Sequence, residues 1–412
     1  MRPEILLSEA ETFKETLLKD RRFFHTHPEV GFDLKLTKEY VKKELLSMGY
    51  EPIECGTCGL LALAGGNHPG KTFLLRADMD ALKITEQAEV PFPSEHPGKM
   101  HACGHDLHTA MLLGAARLLK LHEEELQGTV KLFFQPSEET FEGSKDMIEH
   151  GALEHPHVDA ALMIHVMAGM PMPAGTVIVC DGGVSAPAAD YFHISIQGKG
   201  CHGAMPQAGI DPIVIAAHTV TALQELHARE LAMSDEAALT FGFLQAGQAE
   251  NVIPDTAELG GTLRTYDEEL RAALKTRMQE ICEGIAKIFR GTAQLTFTSG
   301  CPTLFNDAAL SENVTAYCQE LLGTEKAFST AQLKAMSPNA ASSKTVGSED
   351  FAYVSHQTPS IMLALAAGEP KNGYCYPQHH PMVKFDESVL VPGSCVYAYT
   401  AMRWLEDHSA EA

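Results

Sequence analysis

The sequence predicts an α/β protein: a larger domain with a mostly parallel sheet, interrupted by an inserted ferredoxin-like (β-α-β-β-α-β) domain. Strands alternate with helices over the first 187 residues, an order that covers a parallel sheet on both faces. The pattern changes near residue 188, which marks the insertion, and mixed α/β patterning resumes from about residue 301. At 412 residues the chain is long enough for two or three domains. The expected division is 1–187, 188–300 and 301–412.

The chain opens as an amphipathic helix, with Phe13, Leu17, Arg21 and Phe24 at three- and four-residue intervals, and stops where Pro28 follows His27. A second helix fits 37–48, with Thr37 as its cap and Gly49 just past its end. An apolar run at 59–64, a turn at 67–70 and a strand at 72–77 come next. A long helix follows His105, and 128–134 and 158–166 read as buried strands. In the insertion, 191–197, 238–244, 257–265 and 293–298 are strands, while 212–226 and 268–289 are helices. Their order is the split-βαβ arrangement of a small antiparallel sheet. The stretch 336–344, MSPNAASSK, has loop composition.

Composition narrows the function. Hydrophobic residues are 45% and charged residues 21%, as in globular proteins. With 31 basic and 54 acidic residues the net charge is −23, a field that repels phosphate backbones and argues against a nucleic-acid partner. No apolar run approaches the roughly 20 residues of a membrane helix. Acids run through the first 20 residues, with no apolar signal core. The expectation is a cytoplasmic protein with no membrane partner. The 10 cysteines are scattered from Cys55 to Cys395, which suits reduced thiols better than a disulfide framework. The pair in Cys55-Gly-Thr-Cys58 lacks the second pair of a zinc ribbon; two incidental core or turn cysteines are the plainer reading beside a redox motif.

The densest chemistry is Met100-His-Ala-Cys-Gly-His-Asp-Leu-His108, which then enters a helix. Thiolate and imidazole are ligands for first-row metals, and Gly104 permits a tight turn that presents Cys103 and His105 together. His101 and His108 fit a ligand role and a packing role at the helix start equally well. A zinc deaminase would couple an HxE to a PCxxC; this segment lacks the glutamate and the chain lacks the second motif. A buried strand then leads to Ser137-Glu138-Glu139. Paired carboxylates there are costly unless a cation offsets them, one ligating and its neighbour serving as base; a solvated acidic loop is the equal alternative. His165 ends an apolar strand, and Gln378-His379-His380-Pro381 is a loop-like dihistidine; a satisfied core or surface histidine is the commoner reading of each taken singly. Asp78 and Asp80 close another strand. Yet Asp80, Glu138, Glu139 and His165 all fall at carboxyl ends of strands, the edge where open α/β sheets place their sites, and together they point to a metal centre.

These segments resemble a known family. RADMDAL, MHACGHDLHTA, PSEE, GKGCHGAMPQ, ENVIPD, GTLRT, GSEDFAY and HHP occur in the order found in the M20 metallopeptidases. The similarity is greatest to the amidohydrolases that cleave N-acyl amino acids, such as hippurate and auxin-conjugate hydrolases, and it runs from 21–32 to the HHP segment. It implies a metal-binding catalytic domain with the insertion as a lid. It also implies two divalent metals held by Cys103, His105, Glu139, His165 and His379, the last chosen over His380 because the family keeps the first position of the motif. Manganese is the metal the resemblance suggests, while zinc, cobalt and nickel also suit one thiolate among imidazoles and carboxylates. Glu138 matches the general acid/base and Asp80 a residue that orients the metal site from behind. His202 matches a histidine that faces the scissile carbonyl, and Asn251 and Arg264 match residues near the substrate's amino-acid end.

The expected activity is hydrolysis of an N-acyl amino acid to a carboxylic acid and a free amino acid, with a homodimer through the lid as a further expectation. A metallo-dipeptidase or aminopeptidase of the same fold, and a catalytically inactive metal-binding homologue, are the rival readings. Cys201, Gln207, Lys83 and Val383 depart from the family's usual residues, which bears on substrate preference rather than on the ligands.

Overall fold

The computed structural model describes residues 1–336 and 344–409. Most of the 336–344 loop expectation therefore lies outside the described residues. The chain forms two compact units, one of Met1–Ser185, Phe305–Ser343 and Asp350–Ala412, the other of Ala186–Leu304 and Lys344–Glu349.

The first unit is built on an 8-stranded sheet. In spatial order the strands are Ile53–Cys55, Gly59–Gly65, Thr129–Gln135, Thr72–Asp78, Ala160–Met167, Ser360–Ala366, Val177–Val179 and Ala327–Ser329. The four central strands run parallel. Their sequences are near-continuous apolar runs buried on both faces, as a covered parallel sheet requires. Antiparallel pairing occurs toward the edges, where the short Cys55-to-Gly59 turn can only join a hairpin.

Two long helices, His105–Leu121 and Leu390–Asp407, cover the sheet and are buried along most of their length. They approach closely at Gly114, where a Cβ would lie 2.2 Å from Ser394 Oγ and 2.7 Å from Leu17 Cδ2. The opening differs from the single helix expected: Pro3–Thr12 and Lys14–Thr26 are separate helices that meet at Phe13. The next helix, Lys35–Ser47, begins before Thr37, so Thr37 does not cap it. Instead the Thr37 backbone N–H donates to Glu29 Oε2 at 2.8 Å, a cap supplied from outside the helix.

The second unit has a four-stranded antiparallel sheet in the order Ala237–Ala246, Thr256–Thr265, Ala188–Gln197 and Thr292–Cys301. Helices Pro212–Glu225 and Glu268–Ile288 close a core that includes Ile194, Ile215, Leu259, Leu263 and Met278. Each helix starts where a side chain says it should: Asp211 Oδ1 accepts from Ile213 N at 2.8 Å, and Asp267 Oδ1 from Leu270 N at 2.7 Å. A small ladder pairs Cys201–His202 with Val252–Ile253. Among the described residues, no helix is long and apolar enough to cross a membrane.

Candidate metal centre

Parallel strands put their carboxyl ends on one edge, so Thr72–Asp78, Thr129–Gln135 and Ala160–Met167 deliver Asp78, Asp80, Glu138, Glu139 and His165 to neighbouring places. The MHACGHD turn meets them there. Gly104 caps the His105–Leu121 helix in the left-handed conformation, φ 94° and ψ 16°. A Cβ on it would come within 2.4 Å of Val166 Cγ2, so both backbone and space demand glycine between Cys103 and His105. The loop bearing His379 is pinned to the same turn by its backbone N–H, which donates to Ala102 O at 2.9 Å. Ser137, Phe141 and His379 all hold positive φ (57°, 59° and 65°), strain of the kind that fixed sites retain.

The side chains converge on Cys103. Its Sγ lies 3.5 Å from His165 Nε2 and 3.3 Å from His379 Nε2. Glu139 Oε1 is 3.4 Å from His379 Nε2 and 3.9 Å from His105 Nε2. Donor atoms of Cys103, His105 and His165 lie within 4.8 Å of one another, as do those of Cys103, Glu139 and His379, and those of His105, Glu138 and Glu139. The thiol thus belongs to two overlapping donor groups.

Hydrogen bonding prepares the imidazoles. His105 Nδ1–H donates to the Asp80 carbonyl at 2.8 Å, and His165 Nδ1–H to the Val166 carbonyl at 2.8 Å. A carbonyl can only accept, so Nδ1 carries a proton in each ring, and in the neutral form Nε2 holds the lone pair a metal ligand needs. Asp80, fully buried, accepts from the backbone N–H groups of Glu138 at 2.9 Å and Glu139 at 3.2 Å, and so orients the two glutamates together. His105 Nε2 and Glu139 Oε1 are buried and make no hydrogen bond of good geometry. Orphaned buried donors and acceptors are costly, and a cation among them would satisfy both. The donor set of one thiolate, imidazoles and carboxylates fits divalent first-row metals.

Burial and the Glu139 carboxylate push the Cys103 thiol up, but the His165 and His105 imidazoles outweigh them and hold it at about 6. The hydrogen bond with Cys103 and the Glu139 carboxylate 3.4 Å away raise His379 to about 10. Burial opposes the charge on Glu139, yet the nearby His379 and His105 imidazoles keep its carboxyl below the usual range. Burial raises Asp80.

Of the two histidines left open, His108 has both nitrogens engaged: Nδ1–H donates to Asp78 Oδ1 at 2.6 Å, and Nε2 accepts from Val166 N at 2.8 Å. It packs rather than ligates. His101 is buried at 1% exposure with neither ring nitrogen hydrogen-bonded, and burial lowers its pKa to about 3. The sequence reading missed the support behind the centre. Asp78 Oδ2 lies 3.6 Å from His105 Nε2 and 2.7 Å from Arg76 Nη1, and Arg76 also reaches Gln135 and Asp350. The available signal was two charges at alternate positions of an otherwise apolar strand.

His202, Asn251 and Arg264 lie in the second unit. His202 lies in the small ladder and Asn251 just beside it, where Gly203 N–H donates to the Asn251 carbonyl at 2.7 Å. Ala204 N–H donates to His202 Nδ1 at 3.0 Å, which leaves the imidazole proton on the exposed Nε2 side. Arg264 Nη1 donates to Ser348 Oγ at 2.6 Å. Cys55 and Cys58 are both buried; the Cys55 thiol donates to Met147 O at 3.4 Å, and burial raises the pKa of each.

Residues 74–403 match the sequence model of peptidase family M20/M25/M40. The chain is similar to N-acetyl-L-cysteine deacetylase of Bacillus subtilis, 35% identical over 399 residues that cover 96% of this chain and 90% of the relative. It is equally similar to the IAA-amino acid hydrolase ILR1-like 2 of Arabidopsis thaliana, 35% identical over 402 residues, 96% of this chain and 86% of that one. The crystal structure of the Bacillus subtilis YXEP protein, described as a dinuclear metal binding peptidase from the M20 family, superposes with a TM-score of 0.77 at 31% identity, covering 96% of this chain and 99% of the other. A match over most of the chain, relatives above 30% identity along nearly all of it, and donor atoms gathered at one sheet edge lead to one conclusion: the protein belongs to peptidase family M20/M25/M40.

Proposed function

We propose that the protein is a metal-dependent amidohydrolase that cleaves the amide bond of N-acyl amino acids to a carboxylic acid and a free amino acid. The observation that carries this reading is the Cys103 thiol shared by two donor groups, with the Glu138 carboxylate beside them. The relatives named as an N-acetylcysteine deacetylase and an IAA-amino acid hydrolase supply the substrate class.

We assign Cys103, His105, Glu139, His165 and His379 to two divalent cations, with manganese as the native metal and zinc, cobalt or nickel as competent substitutes. Cations held by these residues would supply polarisation of an amide carbonyl and a more acidic water. Glu138, 5% exposed, then takes the proton of the attacking water and delivers it to the leaving nitrogen. Asp80 fixes the carboxylate for that task through the Glu138 N–H. His202, protonated at Nε2, is in the form that donates to an oxyanion. Arg264 has the planar donor fork that suits the substrate's carboxylate, and Asn251 is assigned beside it. The second unit is assigned as lid and as the surface for a homodimer, and the compartment as cytoplasm.

Glu138→Gln tests the reading. It is expected to keep the metal content of the wild type and to lose turnover by several orders of magnitude; retained turnover overturns the role of Glu138. The neighbour described as a peptidase favours one rival, a dipeptidase of the same fold. A panel of N-acyl amino acids against dipeptides on metal-reconstituted protein separates the two.

A further inference from the structure

A second buried ionic cluster lies against the turn that carries Cys103 and His105. Asp106, the residue after His105, has no exposed surface. Its Oδ2 accepts from Arg21 Nε at 3.0 Å and from His25 Nδ1 at 2.8 Å. His25, 3% exposed, donates its other ring N–H to Glu86 Oε1 at 3.0 Å. Glu86 is held in turn by Ser94 N–H, which donates to Oε2 at 2.6 Å. The Phe92 ring covers the cluster, 4.9 Å from the guanidinium carbons of Arg21 and Arg22. The next residue, Gln87, donates its backbone N–H to Pro381 O at 2.8 Å, two residues beyond His379.

One dipeptide therefore reaches both ends of the donor set. Glu86 acts on the Cys103–His105 turn through His25 and Asp106, and Gln87 on the His379 loop through Pro381. Stability alone is a weak reason for such a cluster, because a buried ion pair seldom improves on apolar packing. Register between two segments far apart in sequence is a sufficient one. None of these side chains belongs to the donor set or takes part in the proton transfer.

We propose that Glu86 and His25 are positioning residues that hold the Cys103–His105 turn in register with the His379 loop, so that the thiolate faces both donor groups. This rests on the ligand assignment made above. The test uses purified apoprotein, cobalt(II) as the probe, the sulfur-to-cobalt charge-transfer absorption as the spectroscopic readout, and urea unfolding of each variant before cobalt is added. Glu86→Ala is expected to lose about 10–100-fold in cobalt affinity and to alter the charge-transfer band. It also lowers the apoprotein's unfolding midpoint, because buried His25 loses an acceptor, so affinity is read without urea where the variant is folded. Glu86→Gln, which keeps oxygen acceptors only in part, is expected to recover most of the affinity, and Glu86→Ala with His25→Leu to be no worse than either alone. If Glu86→Ala does not fold, Glu86→Asp reads the same quantities, with an intermediate loss expected. Wild-type affinity and an unchanged band in the folded variants overturn the inference. Cys103→Ser is the control. If it keeps the band, the ligand assignment itself fails; if it loses the band while Glu86→Ala keeps it, only the positioning role falls.

Discussion

Replacing Gly104 by alanine puts the geometry of the ligand turn to a quantitative test. The residue sits at φ 94°, where an L side chain costs about 1–2 kcal/mol relative to glycine. The added Cβ would also stand 2.4 Å from Val166 Cγ2 and 3.2 Å from Phe385 Cζ, in a packed region where one extra methyl costs about 1–3 kcal/mol. The two effects sum to about 2–5 kcal/mol on a segment whose immediate neighbours are Cys103 and His105. The turn can shed part of this by rotating, but rotation would separate the Cys103 and His105 side chains assigned above to the cations. Lost stability and lost cation affinity are therefore complementary, and both are measured on one preparation, by urea unfolding and by metal titration. An alanine variant within about 0.5 kcal/mol of wild-type stability, the range of an ordinary surface change, and within twofold in cation affinity would refute the reasoning.

Removal of metal by a chelator is expected to lower the melting temperature, and re-addition of a divalent cation to restore it. At a free concentration 100 times the dissociation constant the ligand contributes about 2.7 kcal/mol, so a chelator-insensitive transition counts against the donor set. Asp211→Ala removes a helix cap in the second unit and should cost about 1 kcal/mol in that unit's unfolding while leaving cation affinity unchanged; a drop in affinity would contradict the separation. His122 bonds Glu9 at 2.7 Å and Glu125 at 2.9 Å, and these contacts outweigh partial burial to raise its pKa above 6.5. The folded form therefore binds the proton more tightly, so this small stabilisation is complete below pH 6.5 and fades as pH rises through the raised value. Urea midpoints measured across that interval should show the step in the wild type and lose it in His122→Gln.

The fold was legible where the physics is local. Apolar runs at 72–77, 128–134 and 158–166 announced buried strands. It was less legible where a distant group decides the outcome. Thr37 looks like a cap until Glu29 supplies one from outside. Phe13 divides a helix whose periodicity continues across it. The spacing in MHACGHD shows that Gly104 can present Cys103 and His105 together, but not that His108 spends both nitrogens on Asp78 and Val166. Arg76 and Asp78 read as anomalies in an apolar strand because Asp350, which shares the arginine, lies far along the chain. The Glu86–His25–Asp106 links carry no spacing signal, since each partner comes from a different segment.

The place of Ser360–Ala366, flanked by Ala160–Met167 and Val177–Val179, has a consequence for biosynthesis. Among the described strands Ser360–Ala366 is the latest in the chain and yet an interior one, and the helix Leu390–Asp407 follows it. The strands and helices of the second unit are complete by Cys301, so a nascent chain can shape its middle before its larger part can close. Until Ser360–Ala366 arrives, the Ala160–Met167 strand has no neighbour on one side, so a chain cut short before that point is expected to carry an open, adhesive sheet edge.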